Sequence, residues 1–223
     1  MTTSPSTEGS GTPPARAAAT HTRERIIDEA LRLFAERGYA ATSVAEIEAA
    51  SGLSPGAGGL YRHFKSKYEV LSAAINEHAA RTRGQVAGSL AELNAMETSA
   101  DLEDRLSHLC RAGLAKVREE SELTRIFFRD LSQFPELVAV VRQGLLQPMF
   151  DAIVTWFQAQ PEYRSADVDW QAVSAVLGGA VVQYRLFQET VGESLGHTEK
   201  ERFVAAWVRL AVGLLPTPAA VHS

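Results

Sequence analysis

The sequence predicts an all-α protein in two parts, an N-terminal three-helix domain with a helix-turn-helix and a larger C-terminal helical domain. Three observations predict the helical architecture. Apolar residues recur at helical spacing from Thr22 almost to the end of the chain. No strand alternation or hairpin turn pair interrupts them. Helix stop and start signals also crowd into one stretch, Ser51 to Lys67, which reads SGLSPGAGGLYRHFKSK. With 223 residues, 45% of them hydrophobic, the chain can bury a substantial core.

Residues 1–20 are rich in Ser, Thr, Pro, Gly and Ala without periodicity, and read as a disordered arm. The first helix begins near Thr22. Its stripe is Ile27, Ala30, Leu31, Phe34 and Ala35, and Gly38 is its stop. Ser43 and Glu46 form a capping box that opens a short second helix through Val44, Ile47 and Ala50. Gly52 can end that helix, Ser54 can cap a third, and Pro55 then falls at the first helical position, where its missing N–H costs nothing. Leu60 and Phe64 share one side of the third helix, which directs Tyr61, Arg62 and His63 elsewhere. Ser66 and Glu69 make a second capping box, starting a longer fourth helix through Val70, Leu71, Ala74 and Ile75.

Further helical segments are expected at about 101–119, 121–132, 135–159, 167–193 and 198–215. Pro135 suits a helix start, and Pro148 predicts a kink inside its segment. The resulting division is an arm over 1–20, a helix-turn-helix domain over 21–68, a larger helical domain over 69–215, and a tail over 216–223.

The formal charge of −5 is unevenly placed. Residues 1–68 carry +1 and residues 69–223 carry −6, while Ala49 to Tyr68 contains no acid but holds Arg62, Lys65 and Lys67. A local basic patch on an acidic protein confines polyanion contact to the patch. No run of 18 uncharged apolar residues occurs, and the N-terminus lacks the apolar core of a signal peptide, so a cytoplasmic protein without membrane contact is expected. The lone Cys110 fits a reducing compartment and reads as a buried small hydrophobe.

From helix one to helix four, the residues resemble the TetR-type transcriptional regulators. The resemblance covers roughly 22–75, as FAERGYAATSV, AEIEAASGLS and LYRHFKSK. It implies that Thr42, Ser43, Tyr61, His63 and Lys67 meet DNA phosphates, the usual partners of hydroxyls, helix-start N–H groups and lysines. Base reading falls to Ser54, Pro55, Gly56, Ala57, Gly58 and Gly59, with Arg62. The chain departs from the family pattern in having five residues between Ser54 and the Leu60–Tyr61 pair, where three are usual. Either the third helix begins later or it carries an extra half turn. Three glycines there cost about 1 kcal/mol each relative to alanine, so that helix is expected to be marginal without DNA. Gly58→Ala is expected to preserve folding and weaken operator binding.

The resemblance further implies a homodimer formed by the last two helices. Candidate interface residues are Ala175, Gly178, Gly179 and Val182 in one, and Phe203, Trp207, Leu210 and Leu214 in the other. It also implies a pocket for an unidentified small-molecule effector, for which Phe127, Phe128, Met149, Trp156, Tyr184 and Phe187 supply apolar surface and Gln183 and Arg185 polar contacts. The expected function is a ligand-responsive regulator, foremost a repressor, that binds a palindromic operator in double-stranded DNA and is released by a hydrophobic or amphipathic molecule. The alternative is a helical protein-interaction adaptor without DNA binding. Catalytic residues, metal ligands and cofactors are not expected, because the six histidines lie far apart and none has a carboxylate or cysteine at ligand spacing.

Overall fold

The computed structural model describes residues 15–95, 101–164 and 166–214; the expected tail and most of the expected arm lie outside them. All regular structure among these residues is helical: α1 (Ala15–Arg37), α2 (Val44–Ala50), α3 (Lys67–Ala95), α4 (Leu102–Glu119), α5 (Ser121–Arg129), α6 (Pro135–Val141), α7 (Gln147–Ala159), α8 (Trp170–Val191) and α9 (Lys200–Val212). The chain divides into two compact units after Ala73, so α3, the fourth helix expected from sequence, begins in the first unit and continues into the second.

Helix α1 starts at Ala15, earlier than Thr22 and inside the expected arm, because the run ARAAATH is alanine-rich and costs little to coil. Its stripe of Ile26, Ile27, Ala30, Phe34 and Ala35 is buried with Ile47 of α2, Leu60, Phe64, Val70 and Leu71. The capping box at α2 forms as expected: Glu46 N–H donates to Ser43 Oγ at 3.2 Å, and Ser43 N–H donates to the Glu46 carboxylate at 2.7 Å. At α3, Glu69 N–H donates to Ser66 Oγ, and the Glu69 carboxylate accepts the N–H of Lys65.

The second unit has its core where α4, α7, α8 and α9 meet, around Leu106, Cys110, Leu114, Trp156, Phe157, Trp170 and Trp207. Phe157 stacks on Trp170 at 5.2 Å, and Tyr163 closes the aromatic cluster while its hydroxyl donates to Ala211 O at 2.8 Å. Burying such rings stabilises more per residue than any other side chain can. Pro148 deforms the Pro135–Ala159 segment. Its ring nitrogen offers no hydrogen to the previous turn, and the residues before it, Arg142–Leu146, widen into a π turn in which Gln147 N–H reaches back to Arg142 O. This segment is apolar and long enough by composition to cross a membrane, with a mean hydropathy of 1.3, and it owes that to cavity-lining residues such as Val141, Leu145, Leu146, Met149 and Phe150.

Cys110 is buried in this core, and desolvation pushes its thiol up to about 12. Almost no reactive thiolate exists at neutral pH. Native protein should therefore resist an aromatic disulfide reagent and release one thiol equivalent only on unfolding; rapid labelling of folded protein would contradict the packing.

Candidate functional site

The acid-free stretch does not form the third helix. Residues 55–58 make successive turns and Leu60–Arg62 a single 3₁₀ turn. Gly56 and Gly58 have φ of 72° and 75°, left-handed values that a right-handed helix cannot contain. Neither of the two possibilities left by the five-residue spacing is met as an α-helix: the segment has no extra half turn, and what begins late, at Leu60, is this single 3₁₀ turn. Gly58→Ala consequently strains the backbone itself, at about 1–2 kcal/mol, and folding is not spared as expected from sequence.

A carboxylate that sequence inspection passed over holds this turn. Glu48 of α2 is fully buried at 0% exposure. Its Oε2 accepts the N–H of Gly56 at 2.7 Å, and its Oε1 accepts the N–H of Leu60 at 3.0 Å. One side chain thus satisfies two backbone donors and fixes both ends of the glycine segment. Leu60 and Phe64 are buried as expected. Tyr61, at 57% exposure, and Arg62 project outward, and His63 is half-buried. Ser54, Pro55, Gly56 and Ala57 are exposed, while Gly58 and Gly59 are half-buried.

Two residues expected at phosphates have internal roles. Thr42 is 1% exposed, and its hydroxyl donates to Gly38 O at 2.8 Å, tying the α1–α2 turn. Lys67 donates to Tyr39 O and Thr42 O, both at 2.7 Å, with its ammonium 4.3 Å from the centre of the Tyr39 ring. Partial burial holds that ammonium below the ordinary lysine value. Lys67 is a clamp between the start of α3 and the α1–α2 turn: it contributes charge to the face but has its hydrogen-bonding directions occupied. Ser43 remains exposed at the N-terminus of α2, where Arg37 at 2.6 Å offsets the Glu46 carboxylate.

The second unit contains a cavity of about 430 Å³, walled by α3, α4, α5, α6, the π turn, α7 and α8. Phe127, Phe128, Met149 and Gln183 line it, as the sequence suggested. Trp156 and Tyr184 are instead buried in the helical core, and Phe187 is half-buried outside the lining. Arg185 is committed elsewhere, donating to Leu114 O at 2.9 Å and to Gln188. Thr82, Lys116, Glu120 and Thr124, which the sequence did not single out, join Gln183 as the polar residues of the wall.

The interface candidates separate by face. Ala175, Gly179 and Leu210 are exposed, and so are Val176 at 71% and Ala206, both missed. The other five face inward. Gly178 lies against Phe150, Val182 lines the cavity, Phe203 stacks on Tyr184 at 4.3 Å, Trp207 is core and Leu214 packs on that core. An apolar stripe reads the same whether it meets its own core or a second subunit; here the large residues turn inward and the small ones outward.

Among known proteins, the description "Bacterial regulatory proteins, tetR family" matches residues 26–74, which span α1, α2, the glycine turn and the start of α3. The HTH-type transcriptional regulator YvkB of Bacillus subtilis is 27% identical over 155 residues, covering 66% of this chain and 76% of that protein. A TetR-family transcriptional regulator from Mesorhizobium loti superposes with a TM-score of 0.69 at 20% identity, over 89% of this chain and 98% of the other. A transcriptional regulator from Saccharomonospora viridis, crystallised with choline, superposes with a TM-score of 0.63 at 18% identity, over 87% and 95%. Residues 26–74 thus match the N-terminal domain of the tetR family of bacterial regulatory proteins, and the described residues share the fold of solved TetR-family regulators.

Proposed function

We propose that this regulator binds a palindromic operator as a homodimer, represses transcription there, and is released when a small lipophilic molecule enters the cavity of the second unit. The observation that carries the reading is the Glu48-anchored glycine turn, which presents Tyr61 and Arg62 outward from a stretch free of acids. Backbone N–H groups and side chains of Ser43, Ser54–Gly59, Tyr61, Arg62 and His63 would make the contacts, with Thr42 and Lys67 holding that face in position. The two left-handed glycines bring bare backbone to the surface, which suits close approach to a phosphodiester chain.

One module gives limited contact, and helix-turn-helix proteins gain affinity by binding successive major grooves as two-fold dimers. The exposed small-residue faces of α8 (Ala172, Ala175, Val176, Gly179) and α9 (Ala205, Ala206, Leu210) fit close packing of helices between two copies. Effector coupling would run through α3. This one helix carries Lys67, the clamp of the DNA-binding unit, and, fifteen residues later in the chain, Thr82 in the cavity wall. A ligand that shifts α3 changes the DNA-binding face at a typical coupling of about 1–3 kcal/mol.

A gel shift with the DNA flanking the protein's own gene, run at two salt concentrations, tests the DNA-binding reading. Affinity should fall steeply with salt. Arg62→Ala should weaken binding at least about tenfold without changing the melting curve, since Arg62 is exposed. Unchanged affinity in Arg62→Ala would remove Arg62 from the contact, and the absence of salt-dependent binding would favour a protein-interaction adaptor.

A further inference from the structure

The polar corner of the cavity is already satisfied by its own charges. Lys116 Nζ lies 2.7 Å from Glu120 Oε1 and donates to Gln85 Oε1 at 2.6 Å. The second oxygen of Glu120 faces His78 Nε2, and Glu119 stands 3.8 Å from Lys116. Both members of the central pair are largely removed from solvent, at 25% and 13% exposure. Burial by itself raises the Glu120 carboxyl, but His78 and Lys116 outweigh it and bring it below the ordinary carboxylate value. Lys116 and Glu120 are the charged residues of the lining, so among the described residues an entering ion meets no uncompensated partner there. To reach Lys116, an anion must displace or sit beside a partly buried carboxylate; to reach Glu120, a cation must compete with an ammonium and an imidazole. Breaking such a pair is costly because it strands the other charge.

One polar group in this wall has the opposite status. Thr82 lines the cavity and is 2% exposed, and its Oγ1 has no hydrogen-bond partner among the described residues. Buried hydroxyls are ordinarily paired, so this orphan is the partner that one incoming hydrogen-bonding group would gain once rotation about the Thr82 Cα–Cβ bond turns the hydroxyl into the cavity. Apart from Thr124 and Gln183, the rest of the wall is Leu, Val, Phe, Met and Gly.

We infer that the cavity selects a neutral lipophilic molecule with a single hydrogen-bonding head, which pairs with Thr82 Oγ1, and that it discriminates against ionised heads of either sign. The inference rests on the reading of the cavity as the effector site and specifies its chemistry. The self-paired Lys116–Glu120–His78 cluster acts as the selectivity element: it presents no uncompensated charge for an ionised head to bind.

Three probes that share a ten-carbon chain test it on the full-length protein: decan-1-ol, decanoate and decyltrimethylammonium, titrated calorimetrically below their aggregation limits. Decanol should bind at least tenfold more tightly than either ion. Thr82→Val, which keeps the side-chain shape, should weaken decanol about three- to tenfold. Glu120→Gln should raise decanoate affinity at least tenfold by leaving Lys116 without its close counter-charge. Decanoate or the ammonium binding the unaltered protein as tightly as decanol would overturn the inference, a result that needs no variant to fold. If that binding is abolished by Leu145→Trp, which fills the cavity, the effector site stands and only the claim about its head-group chemistry fails. If none of the three binds, while operator binding persists, both the inference and the effector reading fall.

Discussion

Glu48→Ala is expected to be the most damaging single change in the first unit, costing about 2–4 kcal/mol and abolishing DNA binding. The figure combines the buried N–H of Leu60, left without an acceptor at about 1–3 kcal/mol, with the hydrogen bond from the more exposed Gly56 N–H at about 1 kcal/mol. Small domains have little stability in reserve, so such a loss unfolds the segment or the whole unit. Glu48→Gln keeps one carbonyl acceptor and should be intermediate. Urea unfolding of the two variants, with amide exchange at Gly56 and Leu60 as a local probe, checks the ranking. An alanine variant that unfolds like the parent and keeps its DNA affinity would show that the turn holds itself.

The second large effect is a contrast within α9. Trp207 is 4% exposed, and its indole N–H donates to Leu177 O at 3.0 Å. Trp207→Ala should cost about 3–5 kcal/mol through the void left behind and lower the melting temperature of the second unit steeply. Leu210, only three residues further on, is 68% exposed. Leu210→Glu should leave the folded monomer intact but place like charges on both sides of a symmetric contact. The protein should sediment as a monomer, and operator affinity should fall at least about a hundredfold, as expected when two half-sites no longer bind together. If Leu210→Glu unfolds the protein, or leaves its mass in solution unchanged from a dimeric parent, α9 is not the dimer face.

These expectations separate what the residues announced from what they concealed. The helices of the first unit were legible because their ends carry chemistry: Ser43 with Glu46 and Ser66 with Glu69 cap α2 and α3 as their spacing indicates. The stripe of α1 was legible for the same reason that it is buried, its 3.6-residue period. The third helix failed because capping signals were weighed above backbone cost. Ser54 and Pro55 start a helix only where the next residues can coil, and Gly56 and Gly58 supply left-handed turns instead. Glu48 is legible only through its position: Val44, Ile47, Glu48 and Ser51 stand at i, i+3, i+4 and i+7, the inward stripe of α2, and the glycine segment whose N–H groups it accepts follows just beyond.

The second unit was legible only to the level of helix positions. Trp156, Tyr184 and Trp207 show why: a large aromatic on a helix tells that it is covered and not by what. The cavity arises from the π turn before Pro148 and from the helices around it, a tertiary arrangement that no local spacing encodes. Lys116 and Glu120 stand at i and i+4 on a helix, a spacing that pairs charges equally on a surface or beside a cavity, and the wall of the cavity gives them their meaning.

Selection of bound sequences from a random duplex pool, by the full-length protein at moderate salt, bears most directly on the account. The anchored glycine turn and its two-fold partner predict recovery of an inverted repeat whose half-site centres lie about 34–36 Å apart, with enrichment lost in Glu48→Ala and Arg62→Ala. Recovery of no sequence above background, or of an asymmetric site bound equally well by Glu48→Ala, would contradict it.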